Sequence, residues 1–134
     1  MESLACLNGV FQLASEARIP IWDRGFLFGD AVYEVLRIYQ GRCYREEDHY
    51  QRLQRSLAAI EIDGVELVRL RSRVVEAIEQ SGIQEGLAYL HLTRGIAVRK
   101  HAFPEPAVEP TELIVIMPYD DTRAAELRDT GIKL

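Results

Sequence analysis

The stretch Ala31-Val32-Tyr33-Glu34-Val35-Leu36-Arg37-Ile38-Tyr39-Gln40-Gly41-Arg42-Cys43-Tyr44, continued by Arg45-Glu46-Glu47-Asp48-His49-Tyr50-Gln51-Arg52-Leu53, changes its hydrophobic period partway along. In the first arm Val32, Glu34, Leu36 and Ile38 alternate with Ala31, Tyr33, Val35 and Arg37, the two-residue repeat of a strand. Tyr33 therefore shares a face with Val35 and Arg37. Gln40-Gly41 predicts a tight turn, and Arg42 to Tyr44 a returning strand. From Glu46 the spacing lengthens. Tyr50, Leu53, Leu57 and Ile60 recur at intervals of three and four, which predicts an amphipathic helix. Glu46, Glu47 and Asp48 fall in its first turn, where negative charge suits the helix dipole.

The same two periods organise the rest of the chain. Upstream, Leu4 to Leu7, Asn8-Gly9 and Val10 to Leu13 read as a hairpin, because Asn-Gly supplies the two positive-φ positions of a type I′ turn. Downstream, Asp63-Gly64-Val65-Glu66 resembles a capping box. Leu67, Leu70, Val74, Ala77 and Ile78 then form the apolar face of a second helix, ended by Ser81-Gly82. Leu87 to Thr93 alternates again as a strand. Glu112 to Tyr119 is almost continuously apolar, as a central strand would be. Three prolines between them, Pro104, Pro106 and Pro110, predict a loop. Thr122 to Asp129 reads as a short helix or turn, and Gly131 to Leu134 as the start of another strand. Strands, then two helices, then more strands predict an α+β fold: an antiparallel sheet with two helices on one face.

Composition bounds the function. The 134 residues carry a formal net charge of −5, with 48% apolar and 28% charged residues. This is an ordinary globular balance, and its acidity argues against a nucleic-acid partner. The longest apolar run, Leu113 to Met117, is too short to span a bilayer. No basic segment followed by an apolar one opens the chain, so no signal peptide is predicted and a cytoplasmic location is expected. Cys6 and Cys43 lie far apart and read as small strand residues rather than a disulfide or zinc site. His49, His91 and His101 lack metal-ligand spacing, and His91 reads as a satisfied strand residue. There are two lysines, Lys100 and Lys133, against fourteen arginines.

Chemistry concentrates in Thr93-Arg94-Gly95-Ile96-Ala97-Val98-Arg99-Lys100-His101-Ala102-Phe103-Pro104-Glu105. In extended backbone Arg99 and His101, two apart, point to the same side. An arginine fork beside an imidazole can receive a carboxylate through several charge-assisted bonds. The alternative for these residues is a solvated turn ended by Phe103-Pro104. Arg52, on the first helix next to Leu53, can either grip an anion or pair with Asp48 one turn back. Tyr33 can equally be a half-buried strand tyrosine with its hydroxyl at the surface.

Three segments in order, Asp23-Arg24-Gly25-Phe26-Leu27-Phe28-Gly29-Asp30 leading into the Tyr33 strand, His49-Tyr50-Gln51-Arg52-Leu53, and Arg94 to Glu105, together resemble the fold-type IV (class IV) pyridoxal-phosphate-dependent aminotransferases. The likeness runs from Leu4 to Leu134 and is strongest to the D-amino acid branch, because Arg-x-His precedes Phe-Pro-Glu. The resemblance implies a small N-terminal α+β domain over residues 1–120, with 121–134 a connector and the first strand of a second domain. It implies pyridoxal 5′-phosphate as cofactor, Arg52 as the phosphate ligand, and Tyr33, Arg99 and His101 as the receptor for the substrate carboxylate. It also implies a homodimer with an active site shared between subunits, Tyr33 coming from one and Arg99 with His101 from the other. The lysine that forms a Schiff base with the cofactor would lie beyond Leu134, so the chain alone would be inactive. The glycines at 25 and 29 would allow a tight passage into the strand, with Arg24 and Asp30 holding that turn together. The expected reaction moves the amino group of a D-amino acid, D-alanine foremost, to a 2-oxo acid. Branched-chain aminotransferase and aminodeoxychorismate lyase share the fold and stand as alternatives. So does a non-catalytic α+β module that binds an anion or a partner protein.

Overall fold

A computed structural model describes residues 2–132. Six antiparallel strands form one sheet in the order β2-β1-β6-β5-β3-β4. They are β1 (Leu4–Leu7), β2 (Val10–Leu13), β3 (Ala31–Tyr39), β4 (Arg42–Cys43), β5 (Gly86–Thr93) and β6 (Thr111–Pro118). Both expected hairpins form, with φ of 51° and 85° at Asn8 and Gly9, and 48° and 72° at Gln40 and Gly41. The near-continuous apolar run of β6 sits in the middle of the sheet, between β1 and β5.

Helices α2 (Glu46–Ala59) and α3 (Leu67–Ser81) cover one face of the sheet, α2 over β3 and α3 over β6 and β1. Their spaced residues Tyr50, Leu53 and Leu57, then Leu70, Val74, Ala77 and Ile78, are buried against Leu36, Ile38, Ala88, Leu90, Leu92, Ile114 and Ile116. Each such aliphatic side chain contributes roughly 1.5–3 kcal/mol when fully withdrawn from water. Cys6 is buried in this layer, Cys43 packs at its edge, and burial pushes the Cys43 thiol up to about 11, as structural cysteines behave. Gly82 closes α3 in the left-handed conformation, φ 66°.

The second face of the sheet carries neither α2 nor α3; the short helix Arg24–Phe28 meets it only at the end of β5. This face presents Tyr33 and Val35 of β3, both exposed, beside the part-buried Tyr89 and His91 of β5.

Two local expectations need correction. Asp63 does not cap α3: Glu66 is the N-cap and makes no side-chain cap bond, because Gly64, at φ 87°, turns the chain before the helix begins. Arg24–Phe28, expected only as a turn before the strand, is a short helix, α1. Asp23 caps it by accepting from Gly25 N, and Gly29 ends it at φ 65°. Thr122–Thr130 forms helix α4, with Gly131 as its C-cap. The strand expected over Gly131 to Leu134 falls in part on residues 133 and 134, outside the described residues.

Candidate functional site

Two cationic corners are built on this frame. The first lies where β3 meets α2. Glu34 is on the helix-covered face of β3, in line with Val32, Leu36 and Ile38, and is only 3% exposed. A buried carboxylate must be paired to persist. Arg52 reaches it from α2 with a fork, Nε to Oε1 and Nη2 to Oε2, each at 2.6 Å. His49, one turn earlier on α2, meets Oε2 through Nδ1 at 2.8 Å. Burial alone would push the Glu34 carboxyl up, but the hydrogen bonds from Arg52 and His49 outweigh it and hold it below its ordinary value. A carboxylate only accepts, so this bond puts the ring hydrogen of His49 on Nδ1. The 3.3 Å approach of Arg52 Nη2 to Nδ1 is then a contact between donors and not a bond.

The Arg52 side chain is 60% exposed despite its buried partner. Its Nη1 and the Nε2 of His49 have no hydrogen-bond partner among the described residues. Arg45, Asp48, His49 and Arg52 line a pocket of about 260 Å³. The partner expected for Arg52, Asp48, is taken instead by Arg45, Nε to Oδ2 at 2.6 Å. Neither Glu34 nor Arg45 was singled out by the sequence reading. The signal for Glu34 was a carboxylate in the apolar register of a strand.

The second corner is the segment after β5. Asp30 accepts from Arg94 through Nε and Nη2, and from Arg24 Nε at 2.7 Å. The turn is thus held by the expected Arg24–Asp30 pair, with Arg94 added. Arg24, 4% exposed, turns its Nη1 to the carbonyls of Lys100 at 2.8 Å and Ala102 at 3.3 Å. It therefore ties down the backbone on both sides of His101. Arg94 donates to the carbonyls of Ile60 and Glu61 and lies over the Phe103 ring. Beneath them the buried Asp23 accepts from Thr93 Oγ1, Thr111 Oγ1 and Gly25 N.

Arg99 and His101 come together on one ring, Phe28. The Arg99 guanidinium carbon lies 5.1 Å from the ring centroid and the imidazole centroid 5.6 Å from it. Arg24 also lies over this ring, at 4.8 Å, and Arg99 and His101 sit at bends rather than in the extended backbone on which the same-side expectation rested. Tyr33 is elsewhere, 64% exposed on the open face and tilted against Tyr89 at 6.0 Å. No hydrogen bond or ring contact joins Tyr33, Arg52 and the Arg99–His101 pair among the described residues. His91 packs against Tyr89, and burial pulls its basicity down, in keeping with a structural strand histidine.

Among the described residues no group of three or more His, Cys, Asp or Glu could hold a metal ion, and no helix is long and apolar enough to cross a membrane.

Comparison with known proteins shows the family of this chain. The Amino-transferase class IV family matches residues 31–133. A D-alanine aminotransferase of Staphylococcus aureus (strain MSSA476) is 39% identical over 118 residues, covering 85% of this chain and 41% of that protein. Among solved structures, 4-amino-4-deoxychorismate lyase from Pseudomonas aeruginosa superposes with a TM-score of 0.79 at 25% identity, over 94% of this chain and 44% of that one. A hypothetical aminotransferase from Mycobacterium tuberculosis, in its PLP-bound form, gives 0.78 at 24% identity, over 98% and 44%. The chain thus spans less than half the length of these relatives.

Proposed function

Because this chain belongs to the class IV aminotransferases, we propose that it is the N-terminal part of a pyridoxal-phosphate-dependent enzyme that moves the amino group of a D-amino acid, D-alanine foremost, to a 2-oxo acid. The observation that supports the D-amino acid reading is the pair Arg99 and His101, both in contact with the Phe28 ring, with the carbonyls of Lys100 and Ala102 tied to Arg24.

The Arg52 corner fits a phosphate group. It offers a guanidinium and an imidazole with unpartnered nitrogens among the described residues, in a pocket wide enough for one anion. When bound there, pyridoxal phosphate supplies the electron sink that makes the α-hydrogen of an amino acid removable. Arg52 holds the phosphate. Arg99 and His101 receive the substrate carboxylate, and Tyr33 from the facing subunit of a homodimer completes the receptor. Fixing the carboxylate fixes which α-hydrogen is presented, and this is how a site selects one enantiomer. In this reading the lysine that takes that hydrogen is supplied by the rest of the enzyme. A cytoplasmic enzyme suits this chemistry.

The test is an assay of the whole protein with 2-oxoglutarate as acceptor. Turnover of D-alanine without turnover of L-leucine or L-valine is expected. Preference for the L-amino acids would make it a branched-chain aminotransferase, and pyruvate release from aminodeoxychorismate a lyase. Anion binding with no turnover of any of these would leave a non-catalytic module.

A further inference from the structure

We propose that Glu34 is a positioning residue for the cofactor phosphate, acting from the buried face of β3 through Arg52 and His49. The inference rests on the phosphate reading of Arg52 and goes one residue deeper. An exposed arginine samples many rotamers, and gripping an anion would cost it that freedom. Glu34 removes the cost in advance. Its two oxygens take Nε and Nη2 of Arg52, at 2.6 Å each, so the guanidinium plane is set and Nη1 is the donor left over. Oε2 also takes Nδ1 of His49 at 2.8 Å, so Nε2 is the nitrogen left over on that ring. Both residues line the same pocket. One carboxylate thereby orients two side chains at one pocket: Arg52 Nη1 is a donor in any state, and His49 Nε2 donates to an anion when the ring is protonated.

The bland account of Glu34 is a buried charge that simply needs its partners. That account does not explain why the partners are two pocket-lining residues whose remaining nitrogens, Arg52 Nη1 and His49 Nε2, are unused among the described residues. It also predicts a different experiment. A purely structural glutamate would, when replaced, loosen the fold and weaken every ligand alike. A positioning residue would weaken only ligands that carry the phosphate.

The experiment measures equilibrium binding of pyridoxal 5′-phosphate and of pyridoxal, which lacks the phosphate, to the whole apoenzyme by absorbance. Glu34→Gln, whose amide cannot accept the fork on both atoms, is expected to weaken the phosphorylated ligand about tenfold, the worth of one charge-assisted bond, and to leave pyridoxal unchanged. Glu34→Asp, with the charge kept and the reach shortened, should show a smaller loss of the same selective kind. It carries the test if circular dichroism shows Glu34→Gln unfolded. Equal losses for both ligands, or no loss, overturn the inference. Arg52→Ala separates the two levels of the argument. If Arg52→Ala keeps full affinity for pyridoxal 5′-phosphate, the phosphate reading fails. If it loses affinity while Glu34→Gln does not, only the positioning role fails.

Discussion

The carboxylate of Asp30 takes both ends of the Arg94 guanidinium, Nε to Oδ2 at 2.7 Å and Nη2 to Oδ1 at 3.0 Å, across 64 positions of sequence. With Arg24 on the same oxygen, one carboxylate is shared by two buried cations. Arg24 in turn holds the carbonyls on either side of His101, and Arg94 lies over Phe103, so the fold and the proposed carboxylate receptor share one support.

Asp30→Ala would leave both guanidiniums buried without their counter-charge. Breaking a buried pair in this way costs about 3–5 kcal/mol, against a total stability of roughly 5–15 kcal/mol for a domain. Urea denaturation should therefore show a loss of about 3–5 kcal/mol, a large share of the total. A loss under about 1 kcal/mol would mean that Ile60, Glu61, Lys100 and Ala102 carbonyls hold the arginines unaided.

The acid limb of stability follows from the same pair and from Glu34. Burial pushes the Asp30 carboxyl up, but the bonds from Arg94 and Arg24 win and hold it below its ordinary 3.8. Glu34 is likewise held below 4.5. A carboxyl whose folded pKa lies below its unfolded one stabilises the fold above the unfolded value, and that stability drains away as pH falls through the folded value. Thermal melts should thus be flat down to about pH 5 and fall below about pH 4. In Glu34→Gln the drop should shrink, since one of the two carboxylates no longer titrates. A melting temperature that rises between pH 5 and pH 3 would contradict both assignments.

Periodicity reveals what is local and repeated. The alternation in Ala31 to Tyr39 and Leu87 to Thr93, the helical spacing of Tyr50, Leu53 and Leu57, and the apolar run before Pro118 are each set by one element's exposure to one core. The helix Arg24–Phe28 escaped because five residues are too few to show a period; Asp23 and Gly29, its cap residues, were the only trace. Asp48 seemed the natural partner of Arg52 by helical spacing. Spacing cannot see that a strand 18 residues earlier offers a buried carboxylate, which wins because it has no water to fall back on. The Phe28 platform is likewise a meeting of distant segments, 73 positions from His101.

Gly95 shows where the loop after β5 tolerates nothing else. Its φ is 109°, in the region that side chains avoid, and a Cβ there would overlap the carbonyl of Glu109. Its own carbonyl accepts from Arg24 N at 2.9 Å. Gly95→Ala should cost at least the roughly 1–3 kcal/mol of backbone strain, with the steric overlap in addition. Denaturation measures the loss. A variant as stable as the parent would show that the 94–110 segment moves freely, contrary to its bonds with Arg24 and Trp22.

The last prediction separates the D-amino acid reading from its neighbours on the same fold. The proposed receptor puts the substrate carboxylate on Arg99 and His101, away from the Arg52 corner, so the two sites should fail independently. In the whole enzyme Arg99→Ala should lower kcat/KM for D-alanine about tenfold or more, the effect of one lost charge-assisted contact made in the transition state. Arg99→Lys should recover little, since an ammonium restores charge without the fork. Cofactor affinity should be unchanged in both, because the guanidinium stacks on Phe28 and not in the phosphate pocket. Arg52→Ala should do the reverse, with cofactor lost on dialysis and D-alanine kinetics restored by excess pyridoxal phosphate. If Arg99→Ala leaves D-alanine turnover intact, the carboxylate lies elsewhere, and the pairing of Arg99 with His101 on one ring is only the packing of a surface loop.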